Sequence, residues 1–148
     1  MKAVVQRVSG ATLDCDGKRI SEIGKGLVVF FGVVAGEQNQ NAEKSLKLAK
    51  KIAALRVFED ENGKMNLSVK DVCGEILCVS QFTLLADVSH GNRPGFTGAE
   101  KPEIASKVYD DFCVVLAAEG VPVKKGVFGG DMKIAQINDG PITIIYEM

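Results

Sequence analysis

Apolar and polar residues alternate from Lys2 to Val8 and again through Ala11-Thr12-Leu13-Asp14-Cys15, a period of two that predicts half-buried strands. Asp16-Gly17 is a short-turn signal, so the second segment and a return arm reaching Ile23 read as a hairpin. Leu27-Val28-Val29-Phe30-Phe31 loses the alternation, as a strand buried on both faces does, which places it in the middle of a sheet. Between Asn41 and Arg56 the period lengthens. Ala42, Leu46, Ala49, Ile52 and Ala53 recur at helical spacing, with Asn41 placed to cap the start. Val57-Phe58 and Lys64 to Leu67 flank Glu59 to Gly63, whose Asn-Gly ending predicts a hairpin loop.

Glu75 to Ser80 is a further apolar strand that runs directly into Gln81-Phe82-Thr83-Leu84. Ala86 to Gly98 holds glycines, a proline and the single histidine, so a long irregular loop is expected, and such loops often carry function. Pro102 suits a first helical turn; Ile104, Val108, Phe112, Val115 and Leu116 form one face of that helix, and Gly120 with Pro122 end it. Met132 to Ile137 and Ile142 to Tyr146 read as closing strands around a turn at Asn138-Asp139-Gly140-Pro141. About eight strands and two helices predict a sheet-dominated α/β domain spanning residues 1–148, with layered sheets or a partial barrel and both helices on one side.

Composition narrows the partners. The longest apolar run, Leu27 to Val34, falls far short of the roughly 20 residues that cross a bilayer, and no leader pattern follows Met1, so a cytoplasmic protein without a membrane partner is expected. Lys plus Arg number 18 against 19 Asp plus Glu, so no overall basic field exists for binding DNA, and any RNA contact must be local. Cys15, Cys73, Cys78 and Cys113 stand singly in apolar stretches and read as reduced core thiols. With one histidine and no close cysteine pair, neither a metal nor another cofactor is expected.

Familiar catalytic templates fail. G-x-S-x-G, H-E-x-x-H and the phosphate-binding glycine loops are all missing, and His90, the one imidazole, sits among loop glycines where a solvated role outweighs a triad. Gly129-Gly130 with Lys133 offers a weak phosphate cradle, a turn being the plainer reading. Lys44, Lys47, Lys50 and Lys51 either meet phosphates or form a solvated helix face. Two segments combine polar groups with unusual backbone demands: Ser80-Gln81-Phe82-Thr83, also readable as an edge strand ending in polar residues, and Asn138-Asp139-Gly140-Pro141-Ile142-Thr143, also readable as a turn.

Taken with Gln6-Arg7-Val8, Gly63-Lys64-Met65-Asn66-Leu67, Arg93-Pro94 and Asp131-Met132, in this order, those segments resemble the D-aminoacyl-tRNA deacylases along the whole chain. Ile142 stands where the family usually has Val, and Gly95 where it commonly has Ser. The resemblance implies hydrolysis of the ester of D-aminoacyl-tRNA, and of glycine misattached to tRNA, by a homodimer whose active site lies at the subunit interface. It implies that Gly140-Pro141 is cis, enters the partner's pocket, accepts from the substrate's α-ammonium and blocks an L side chain, with Arg7 holding the dipeptide.

Because an aminoacyl ester is already activated, positioning and backbone donors can suffice, and the amides of Phe82 and Thr83 are the expected oxyanion donors, beside Gln81. The terminal ribose's own 2′-hydroxyl is implied to assist water. Thr83 as a nucleophile lacks a neighbouring base. Ser80 and Gln81 are expected to orient the ester, Phe128 and Met132 to line the adenine site, Asn138 to shape the turn and Thr143 to support it. Lys44, Lys47, Lys124 and Lys125 are candidates for acceptor-stem phosphates. The competing expectations are a noncatalytic module that binds the aminoacyl-tRNA 3′ end, and a small dimer that binds free amino acids.

Overall fold

The computed structural model describes residues 1–148. Eight strands occur in the order β1 (Lys2–Cys15), β2 (Lys18–Ile23), β3 (Gly26–Gly32), β4 (Phe58–Glu59), β5 (Met65–Leu67), β6 (Glu75–Ser80), β7 (Val123–Lys125) and β8 (Met132–Glu147), with helices α1 (Asn41–Ala53) and α2 (Pro102–Ala118). The main sheet runs β2-β1-β3-β6-β7, and β8 pairs with the free side of β1. Pairings among β1, β2, β3 and β8 are antiparallel, whereas β3-β6 and β6-β7 are parallel. The sheet curls into a nearly closed barrel, the second of the two forms expected of this sheet-dominated α/β domain.

Strand alternation sorts the core into two. On β3 and β6, Leu27, Val29, Phe31, Ile76 and Cys78 join the larger cluster with Leu48, Ile52, Phe112 and Leu116 of the helices. Their neighbours Val28, Leu77 and Val79 join Val8, Ala11, Leu13 and Ile23 in a second, smaller cluster. Residues on successive positions point to opposite faces, so β3 and β6 are covered on both, as the unbroken apolar runs demand. Phe31 and Phe112 stack with centroids 4.2 Å apart, joining β3 to α2.

Five expectations are corrected, four here and the fifth at the bulge of β8. Lys2 to Val8 and Ala11 to Cys15 are one bent strand, because β1 pairs with β3 over its first half and β2 over its second. Asn41 does not cap α1: Gln40 occupies that place without a side-chain bond, and Asn41 is the first helical residue, its side chain buried with Oδ1 unpartnered. The buried face of α1 is Ser45, Leu48, Ala49, Ile52 and Ala53, while Ala42 and Leu46 face outward. The two sets share Ala49, Ile52 and Ala53 and differ in the first half of the helix. Finally, Cys73 is exposed; the other three cysteines are buried and free.

The segment Asn138-Asp139-Gly140-Pro141 is not a turn between two strands. Both flanks pair with β1, Val8 opposite Asn138 and Gln6 opposite Thr143, so residues 139–142 bulge out of one continuous strand opposite Arg7. Side-chain amides fasten the flanks: Gln136 donates to Gln6 Oε1 (2.6 Å) and Asn138 Oδ1 (2.7 Å), and Gln6 donates to Thr143 Oγ1 (3.2 Å).

Candidate active site

Parallel strands leave a crevice beyond their carboxyl ends, and β3 and β6 end side by side at Gly32 and Ser80. There a cavity of about 630 Å³ opens where the two cores meet. The end of β3 (Phe31, Gly32), the end of β6 (Val79, Ser80), α2 (Pro102, Ala105, Tyr109) and the Phe128–Met132 segment wall it. Just over half its lining is apolar, which suits a flat ring with a few polar anchors.

The chain after β6 turns sharply. Gln81 N–H donates to Phe31 O (2.8 Å), and Phe82–Leu85 form one 3₁₀ turn packed on the end of β3. Gly32 permits that approach, since a Cβ there would lie 2.4 Å from Leu85 Cδ2 and 3.0 Å from Gln81 O. The first donors of such a turn have no acceptor within it. Leu84 N–H donates to Gln81 O and Ala86 N–H to Thr83 O, whereas the amides of Phe82 and Thr83 donate to nothing in the chain. Two backbone donors therefore stand free, one on the cavity wall at Phe82 and the next at Thr83, a disposition able to meet an oxyanion.

Of the residues singled out by sequence, Ser80, Gln81, Phe82, Phe128 and Met132 line this cavity together. Thr83, next in the chain after Phe82, is exposed and outside the lining, its hydroxyl accepting from Gln81 Nε2. His90 is exposed on the loop and takes no part in the lining. Tyr109, pushed far above the ordinary phenol range chiefly by burial and then by the neighbouring thiols, remains a donor to Cys78 O (2.8 Å). Sequence reading missed Tyr109, Phe96, Glu100 and Lys101. Glu100 is buried and anchored, accepting from Gln38 Nε2 and from Lys101 N–H (2.9 Å). Its place directly before the helix-starting Lys101-Pro102 was the available signal.

Arg7, Asn138, Gly140 and Pro141 form a second group that contributes nothing to the cavity wall. Gly140-Pro141 is a cis peptide bond, and residues 138–141 are exposed. Arg7 is buried beneath them. Its Nε donates to Asp139 O (3.0 Å) and its Nη1 to Val57 O (2.6 Å), with Asp139 Oδ2 3.4 Å from Nε. Gly140 has φ +122°, and a Cβ would meet Ile142 Cγ1 at 2.9 Å and Arg7 Nη2 at 3.2 Å. The dipeptide is thus a narrow backbone wedge that only glycine can complete.

Three of the four lysines nominated for phosphate contact are engaged within the chain. Lys44 bonds Glu37 and Met148 O, Lys124 bonds Glu22 O and Glu75, and Lys125 bonds Asp110. Lys47 is exposed without such a partner. Gly129-Gly130 with Lys133 forms no evident cradle, as the Lys133 ammonium is held by Asp131 (3.1 Å).

Residues 4–147 match the family model described as D-Tyr-tRNA(Tyr) deacylase. A D-aminoacyl-tRNA deacylase of Geotalea daltonii is 50% identical over 147 residues, covering 99% of this chain and 96% of that protein. Among solved structures, a c-Myc DNA unwinding element binding protein superposes with a TM-score of 0.89 at 43% identity, covering 100% of this chain and 99% of the other. A probable eukaryotic D-amino acid tRNA deacylase superposes with a TM-score of 0.82 at 17% identity over 99% of this chain and 98% of the other, a likeness of fold.

Proposed function

This chain belongs to the D-Tyr-tRNA(Tyr) deacylase family, and on that premise we propose that it hydrolyses the ester joining a D-amino acid, or glycine, to the terminal adenosine of tRNA and leaves L-aminoacyl-tRNA intact. The observation that carries the reading is the pair of unpartnered amides, Phe82 and Thr83, at the edge of an apolar cavity.

The terminal adenine enters the cavity between Phe128 and Met132, and Ser80 and Gln81 orient the ester. Water adds to the acyl carbon, the carbonyl oxygen takes up negative charge against the Phe82 and Thr83 amides, and the bond to the ribose oxygen breaks. The proton leaving water reaches that ribose oxygen, with the adjacent 2′-hydroxyl as the relay. Preorganised donors of this kind are worth about 10²–10³-fold each, enough to matter for an activated ester.

Handedness comes from the second group. Gly140-Pro141 of one copy enters the cavity of a second, so the active site lies at the interface of a homodimer. The 16-residue β8 supports this arrangement, because it pairs only with β1 and leaves its other edge open, with Ile137 and Ile145 exposed. Proline has no N–H, so the wedge offers carbonyl acceptors alone to the α-ammonium. With ammonium and ester fixed, an L side chain points into the wedge where the D residue carries hydrogen. No contact grips the D side chain, so many D residues and glycine fit.

Loss of the ester from D-Tyr-tRNA and L-Tyr-tRNA, measured side by side, tests the activity. Hydrolysis of the D form alone is expected; equal loss from both would reject the wedge, and tight binding without loss from either would make this a noncatalytic binder of the 3′ end. Mixing chains carrying Gly140→Ala with chains carrying Phe128→Ala tests the shared site. One intact site per mixed dimer should restore activity that neither variant has alone, and no recovery would place both groups in one chain.

A further inference from the structure

Phe82 and Phe96 sit on the cavity wall in a way that packing does not explain. Soluble chains bury phenylalanine, yet Phe82 is 57% exposed. Its ring meets Phe96 with centroids 4.9 Å apart and planes at 65°. Such an edge-to-face pair leaves one ring face open, in contrast to Phe31 and Phe112, whose rings lie within 2° of parallel inside the core.

Two cations without a carboxylate partner stand near the rings. Lys101 lines the same cavity, is exposed, and has no bond to its ammonium. Arg93 lies three residues before Phe96 and is likewise exposed and unpaired. Its loop is closed at the base by reciprocal Asp87 and Gly95 backbone bonds of 2.8 Å each. The carboxylates near them have other partners: Asp87 accepts from Ser89 N–H (2.9 Å) and hydroxyl (2.6 Å), Asp131 holds Lys133, and Glu100, on the same wall, accepts from Gln38 Nε2 and Lys101 N–H (2.9 Å).

We propose that the Phe82–Phe96 pair is a stacking platform for the base of the nucleotide that precedes the terminal adenosine, with Lys101 and Arg93 placed for its phosphates. The inference rests on the aminoacyl-tRNA reading above. Once the last nucleotide fills the cavity, the next unpaired base emerges at the mouth, where these rings stand. Single-stranded RNA is held through aromatic stacking and flanking cations, and stacking tolerates any base. The platform supplies affinity for the single-stranded end, a task the adenine cavity and the wedge leave undone.

The test is a cycle on D-aminoacylated RNA carrying either the normal or an abasic nucleotide at the penultimate position, cleaved by the native enzyme, Phe96→Leu and Phe96→Tyr. The abasic site should raise the native enzyme's KM about tenfold. Phe96→Leu should cost a similar factor on normal RNA, the abasic site should then add nothing, and Phe96→Tyr should restore the native values. An abasic site that costs the native enzyme nothing, or two losses that multiply, overturns the platform. The same cycle on binding of a non-hydrolysable 3′-amide RNA reads affinity without turnover and covers a variant that folds poorly. D-aminoacyl-adenosine, which has no penultimate base, is the control: if the native enzyme cleaves neither it nor the RNA, the deacylase reading itself fails.

Discussion

The cavity at the ends of β3 and β6 and the bulge on β8 are opposites. The first is concave, walled by residues of both cores, and rich in unspent backbone donors. The second is convex, exposed, rich in acceptors, and supported by one buried guanidinium. A cavity can be carved from a chain's own packing. A wedge of bare main chain cannot brace itself, which is why a buried charge, otherwise expensive, is retained below it. The two shapes are complementary, and the bulge has no part in the wall of its own chain's cavity, so a second copy is the natural place for them to meet.

The comparison breaks most sharply at Gly140. Gly140→Ala should lower kcat/KM for D-aminoacyl-tRNA by about a hundredfold or more, because a Cβ at φ +122° displaces the wedge and a 1 Å misplacement has that effect. Terminal-adenosine binding, followed by calorimetry with an adenosine ester analogue, should survive. Retained D-over-L discrimination in this variant would remove the bulge from the mechanism.

Arg7→Leu comes next. It strips donors from the carbonyls of Val57 and Asp139, so urea unfolding should show a loss of about 3 kcal/mol, with activity falling because the wedge loosens. If stability drops while turnover stays native, Arg7 supports the fold alone.

Thr83→Ala probes the other region and should change turnover less than about threefold, because the backbone amide remains, whereas loss of a true nucleophile removes about 10⁴-fold or more. A large loss would convert the free-amide account into covalent catalysis.

Glu75→Gln, outside both regions, should be the mildest. The Gly24 N–H chiefly holds the Glu75 carboxyl below its ordinary range; burial opposes it, and Lys124 adds to the lowering. Its stabilisation is therefore present above the ordinary carboxylate pKa and is lost as pH falls through the lowered folded value. The variant should be less stable by under about 1 kcal/mol at neutral pH, with the gap closing in acid and turnover unchanged. A gap that widens in acid would contradict the lowered carboxyl.

Much of this molecule was legible beforehand because periodicity is a local property. The unbroken apolar runs of β3 and β6 placed them mid-sheet, and Pro102 with Gly120 bracketed α2. The α1 stripe was right at Ala49, Ile52 and Ala53 and misread in its first half, where the apolar Ala42 and Leu46 face outward and the polar Asn41 and Ser45 are buried. Ser80 to Thr83 were visible through residue type, but Glu100, Lys101 and Tyr109 were silent, since nothing within their own segments marks them as neighbours of a cavity.

Residue order by itself determined the two helices, most of the strands, and the two polar segments whose company names a family. Tertiary structure decided that Asn138 to Pro141 protrude from a continuous strand rather than turn between two. Both flanks find partners on β1, and those contacts join residues 130 to 137 positions apart, a separation no window of local sequence can register.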